Sequence, residues 1–262
     1  MRTIRFGGRG TLLPQKWNDT KDEIRGVTMM KHRWLAVGCV ALVVALTVTG
    51  LHLVSEISHN RHAVQSCTCH GHLKSIATAM LHYHERYGHF PPAYLVDKHG
   101  KPAHSWRVLL LEYLDPGTYG AYRFDEPWDG PNNRKLEDKM LSCYACPADT
   151  KRGRWETNYF VIVGPNTVFP GSNTVKVDDI TRPHAETILV VEAVDQGIHW
   201  MEPRDLELDR MSFAVNDAKK PSISCRHNRP PGVAAVDGTV FSLTNIRGEQ
   251  LRQMVLIVEA AK

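Results

Sequence analysis

The stretch from Trp34 to Val54, WLAVGCVALVVALTVTGLHLV, runs 21 residues without an Asp, Glu, Lys or Arg, and no other feature of the 262-residue chain constrains its folding as strongly. Coiled as a helix, it covers about 31 Å, the thickness of a bilayer's hydrocarbon core. Lys31, His32 and Arg33 precede it and Glu56 follows it. The positive-inside rule therefore expects residues 1–33 in the cytoplasm and the rest outside. A cleaved signal peptide is the competing reading, because Met29 or Met30 offers an alternative start before a short basic segment. No Ala-x-Ala site follows the run, and the nearest approximation, Val48-Thr49-Gly50, lies inside it, which favours a retained anchor over cleavage.

The net charge of +4 is unevenly placed. Residues 1–33 hold eight Lys/Arg against three Asp/Glu, a basic segment expected to be disordered, and the remaining 24 basic and 25 acidic residues sum to −1. No large region carries the single-sign field that nucleic-acid binding requires, so nucleic acid is not an expected partner.

Beyond the apolar run, no Pro occurs until Pro91, and Cys69, Leu73, Ile76, Met80, Tyr83 and Tyr87 recur at spacings of four and three. This is one face of a helix, which can continue the membrane segment with some fraying at residues 55–66 and end at Gly88 and Pro91-Pro92. Shorter segments follow: a helix at Ser105 to Leu114, then strands at Asn158 to Val163, Thr187 to Val194 and Gly232 to Leu243, and a helix at Gln250 to Ala260. Asp237-Gly238 fits a two-residue type I′ hairpin turn. The architecture expected is α+β, with a basic segment at 1–33, a transmembrane helix at 34–54 and one exported domain at 55–262.

Several ordered motifs in that domain, CHGHLKSIATAMLHYHERYGHFPPAY, HSWRVLLLEYL, DEPWDGPNN, CPAD, TILVVEAV and HNRPPGVAAVDGTV, resemble the bacterial domain of unknown function 1559. The resemblance runs from about Cys69 to the C-terminus. It implies a pilin-like fold, similar to the G-type pseudopilins of type II secretion, in which a long N-terminal helix packs on an antiparallel sheet head. The residues that carry it are Tyr83, His84, Tyr87, Gly88, Phe90, Pro91, Pro92, Trp106, Pro127, Trp128 and Asp129, with a closing His, nine residues, Asp-Gly motif at His227, Asp237 and Gly238. Pilin-type members place a Gly-Phe-Thr-Leu-like peptidase site before the apolar segment and a Glu inside the mature helix. Here MMKHR precedes a segment without Glu, which points to a permanently anchored head.

The resemblance implies one Cys at the position of Cys69 and one in the Cys-Pro-Ala-Asp turn at Cys146, so Cys67 and Cys143 are additions. In an oxidising compartment these cysteines read as one or two disulfides. The sharper alternative is a zinc site from Cys67, Cys69, Cys143 and Cys146, helped by His70 or His72. On a helix Cys67 and Cys69 point about 200° apart, and only Cys69 lies on the apolar stripe. Cys69 with Cys146 is therefore the preferred pair. Neither CTCH nor CYACP supplies the C-x-x-C-H of a haem site, and no βαβ context supports thioredoxin-like chemistry.

The other constellations read as structural. His70 with His72 and His82 with His84 are two residues apart, a spacing that splits them across a helix, and His84 is expected to pack its ring with one hydrogen bond. His227 with Asp237 suggests a dyad, but the Asp-Gly turn explains itself. Asp125, Glu126 and Asp129 form an acidic loop that could take calcium, with a solvated loop as the plainer reading, and Trp106, Trp128 and Trp200 read as loop anchors rather than sugar platforms. Nucleophile elbows, Walker loops and dinucleotide fingerprints are missing. The chain is thus expected to be a non-enzymatic structural or interaction protein of the bacterial inner membrane, without a cofactor, with the membrane and other pilin-like or secretion components as partners. The alternative expectation is an exported metal-binding protein or envelope enzyme built on the Cys/His cluster.

Overall fold

The computed structural model describes residues 16–258, which divide into two compact units at Ser58/His59. The first helix, α1, spans Lys16–Tyr87. It starts inside the segment expected to be disordered, and it shows no fraying at residues 55–66. The remainder of the basic segment, residues 1–15, lies outside the described residues. Among the described residues one helix is long and apolar enough to cross a membrane, and Trp34, Leu35, Val40, Leu46 and Leu51 along it are all exposed. Thr47 and Thr49 return their hydroxyl protons to the Val44 and Ala45 carbonyls, both at 2.8 Å, so these polar groups are satisfied within the helix.

In the second unit the four-three spacing of α1 is realised as burial. Cys69, Leu73, Ile76 and Met80 are fully buried, Tyr83 is half-buried and Tyr87 is exposed. Gly88 ends the helix at φ +75°, where its N–H reaches the His84 carbonyl at 2.8 Å, a left-handed closure that the two prolines after it make final. The chain then forms a short hairpin, β1 (Tyr94–Val96) with β2 (Pro102–Ser105), and three single helical turns, α2 (Trp106–Leu109), α3 (Leu111–Leu114) and α4 (Pro116–Ala121). The helix expected at Ser105 to Leu114 is therefore two turns meeting at Leu110. Ser105 caps the first by accepting the Arg107 N–H.

The main sheet orders β3 (Tyr159–Phe160), β5 (Ile188–Glu192), β7 (Gly232–Ala235) and β8 (Val240–Ser242), antiparallel throughout. Strand alternation divides its side chains between two cores. Tyr159, Val190 and Ala234 join Leu73, Ile76 and Met80 of α1, whereas Phe160, Val191 and Val233 join Leu251 and Val255 of α5 (Gly248–Val255) on the other face. At Gly232 the helix comes so close that a Cβ would meet Leu73 Cδ1 at 2.7 Å.

Three further sequence expectations change. The run Asn158 to Val163 is not one strand: after Phe160 it passes into β4 (Ile162–Val163), which pairs in parallel with β6 (Leu206–Glu207). The switch occurs at Val161, whose N–H goes to Asp205 Oδ1 at 3.0 Å instead of to a neighbouring strand. The β7–β8 turn is not type I′. Only Gly238 has positive φ, at +82°, and Gly238 N–H closes on the Ala235 carbonyl while Ala235 and Thr239 pair behind it, a three-residue loop with glycine in the left-handed position. The last helix runs Gly248–Val255, because Leu256 leaves it to bridge Thr167.

A buried ion pair ties these irregular segments together. Arg107 and Asp205 meet at 2.6 Å with both side chains buried, Arg107 also donates to the Tyr159 carbonyl, and Trp106 donates its indole N–H to Asp205.

Candidate functional site

Three chain segments converge where α1 enters the core. Helical spacing brings Cys69 onto the buried face one turn before Leu73. The Cys-Pro-Ala-Asp turn brings Cys146, held by Asn158, whose side-chain carbonyl accepts the Cys146 N–H at 2.8 Å while its amide donates to Asp149 at 2.9 Å. Strand alternation brings Glu192, two residues beyond Val190 and therefore on the same, helix-facing side of the sheet.

The result is a closed cluster. Cys69 Sγ and Cys146 Sγ lie 3.1 Å apart, and a carboxylate oxygen of Glu192 lies within 4.8 Å of both. All three residues are buried, as is His227, whose Nε2 is 3.2 Å from Glu192 Oε2. The other ring nitrogen of His227 faces the Arg229 carbonyl at 2.9 Å, and a carbonyl only accepts. Nδ1 therefore donates, and Nε2 shares a hydrogen bond with the Glu192 carboxyl group. Burial opposes a charge on the ring, but hydrogen bonds to Cys225, Cys69 and Glu192 outweigh it and push the His227 pKa up to about 12.

Either thiol can donate to the other across the 3.1 Å contact. A hydrogen bond from Cys146, with help from His227 and against desolvation, lowers the Cys69 pKa to about 7. The Cys146 thiol is correspondingly driven up by its hydrogen bond with Cys69 and by burial. A thiolate at near-neutral pH beside a second sulfur is chemically competent for oxidation to a disulfide and for binding a soft cation.

The cysteines expected to contribute to a four-cysteine site are not gathered there. Cys67 is exposed on the other side of α1, and Cys143 is half-buried against the first core, where desolvation raises its pKa to about 11. His70 and His72 are also engaged elsewhere: His70 pairs with the Ser66 carbonyl and Ser242 Oγ, and His72 with the Tyr159 hydroxyl. The member that sequence reasoning missed is Glu192, while Cys225, partly buried and outside the cluster, donates to the Arg229 carbonyl at 3.1 Å. Glu192 did leave a signal, as a lone carboxylate in the apolar run TILVVEAV.

The remaining motif residues serve the fold. His84 Nε2 accepts the Val177 N–H at 3.1 Å with its ring against Phe90, and Tyr87 donates to Glu112. Pro91 and Pro92 are buried at the exit of α1. Trp128 is fixed by its backbone N–H to the Ala103 carbonyl, with its ring tilted against His199, while the Trp200 indole N–H donates to the Glu137 carbonyl. Pro127 and Asp129 are exposed. Glu126 is spent on the Asn132 and Asn133 amides, so the acidic loop is closed by its own backbone. Asp237 accepts from the Thr239 N–H and hydroxyl, and it is Glu192, not Asp237, that partners His227.

No curated protein and no solved structure matches the chain. The model of a family described as a protein of unknown function, DUF1559, matches residues 59–240, which contain Cys69, Cys146, Glu192 and His227 together. The chain therefore belongs to the DUF1559 family.

Proposed function

We propose that this chain is a membrane-anchored, pseudopilin-like structural or interaction protein of the bacterial envelope, non-catalytic, with its N-terminus in the cytoplasm and its α+β domain outside the inner membrane. The observation that carries this reading is the dual character of α1. One helix holds both the uncharged, exposed run at 34–54 and the buried Cys69 to Met80 face around which the sheet is assembled. A long N-terminal helix shared between bilayer and head is the organisation a pilin-like subunit needs. Other pilin-like or secretion components are the expected partners.

In this reading Cys69 and Cys146 are a staple between helix and head. The two thiols, 3.1 Å apart, form one S–S bond and pass two electrons and two protons to a disulfide- or quinone-class oxidant of the exported compartment. The short separation favours this bond over a ready-made tetrahedral zinc pair, whose sulfurs stand about 3.8 Å apart. Crosslinking in native membranes tests the assembly role. Ladders of crosslinked species at native abundance are expected, and a strictly monomeric product contradicts it.

A further inference from the structure

A disulfide accounts for the two sulfurs but not for the carboxylate beside them. Glu192 is fully buried, its Oε2 faces His227, and its Oε1 has no hydrogen-bond partner. An unpaired buried carboxylate oxygen is costly, and here it belongs to a group already within 4.8 Å of two thiols. His227 stands beside it: its Nδ1–H is tied to the Arg229 carbonyl, the kind of bond that commonly orients a metal-ligating imidazole, and this turns Nε2 toward Glu192 at 3.2 Å.

We propose that in its dithiol form this pocket binds one Zn2+, with Cys69 Sγ, Cys146 Sγ and a Glu192 carboxylate oxygen as ligands and His227 Nε2 as the fourth. Cys69, Cys146 and Glu192 already lie within 4.8 Å of one another, His227 Nε2 joins them by a small shift from its 3.2 Å contact with Glu192, and the oxygen donor favours zinc over copper(I). Zn2+ binds as thiolates take up the cation and His227 presents an unprotonated Nε2, and the protons those groups carry pass to solvent. The sulfurs part from 3.1 Å to about 3.8 Å on binding. The inference goes beyond the structural role and depends on neither anchoring nor assembly.

The test uses the full chain in detergent, kept reduced by a phosphine and equilibrated with chelator-buffered Zn2+ at nanomolar free concentration, with bound zinc counted per chain by elemental mass spectrometry. One zinc per chain is expected for wild type and for C67S/C143S, none for C69S/C146S, and at least a tenfold weaker affinity for Glu192→Gln. Chain oxidised beforehand with a diazene oxidant should bind none. Co2+ in place of zinc should give thiolate-to-cobalt charge-transfer absorption that C69S/C146S lacks, a readout that does not depend on how Glu192→Gln folds. Absence of zinc from reduced wild type, or equal zinc in C69S/C146S, overturns the proposal. Neither result touches the crosslinking test of assembly.

Discussion

Replacing Cys146 by Ser prevents the proposed disulfide with Cys69, and the cost of losing it can be worked from the chain. Cys69 and Cys146 are free thiols in the structure, and a bond between them would close a loop across 77 positions of sequence. The chain-entropy relation then gives a loss of about 15 cal/mol/K in the unfolded ensemble, or about 4.5 kcal/mol at 25 °C. Trp106 and Trp200 are both fully buried in the first core, so their fluorescence reports unfolding of the second unit in detergent. With a urea dependence of roughly 2 kcal/mol/M, the midpoint of Cys146→Ser should fall by about 2 M relative to oxidised wild type. Reduced wild type should fall with it, and Cys67→Ser, at an exposed position, should not. Oxidised and reduced wild type unfolding at the same midpoint would refute the reasoning, since the loop would then impose no constraint.

Three further outcomes follow from the same geometry. Arg107→Met should cost about 3–5 kcal/mol in the same unfolding assay, because it leaves Asp205 buried without its charge partner, and double replacement with Asp205→Leu should recover much of that loss. Leu73→Ala or Ile76→Ala should each cost about 2–5 kcal/mol, since both side chains are fully buried between α1 and the sheet. In the reduced chain, the rate of disulfide formation with oxidised glutathione should rise with pH through a midpoint near 7, the lowered pKa of Cys69, rather than near its ordinary value of 9.0, and His227→Gln should move that midpoint upward. Because the folded pKa of Cys69 is the depressed one, its contribution to the stability of the dithiol form is complete above pH 9 and is lost as the pH falls through 7, a trend that urea titration across that window measures.

Much of the fold was legible because it rests on periodicity. The four-three spacing of Cys69, Leu73, Ile76 and Met80 selects the buried face of α1 without knowledge of what covers it, and Gly88 with two prolines marks its end. Local turn chemistry was less readable. Asp237-Gly238 fits two loop geometries that differ by one residue in length, and the pairing of Ala235 with Thr239 decides between them only in three dimensions. The break at Val161 was invisible, because its cause is a carboxylate 44 residues further along. The site was half-legible for the same reason: helical phase and the Cys-Pro-Ala-Asp turn single out Cys69 and Cys146. Glu192 and His227 join them through strand alternation and pairing, which a spacing rule within one segment does not carry.

The most direct test of the account is the intact mass of the chain isolated from cell membranes, unfolded and alkylated without reduction. It should retain residues 34–54 and carry four alkyl groups, on Cys39, Cys67, Cys143 and Cys225, with Cys69 and Cys146 protected as a disulfide. A chain beginning after Val54 would contradict the membrane anchor, and six alkyl groups would contradict the staple.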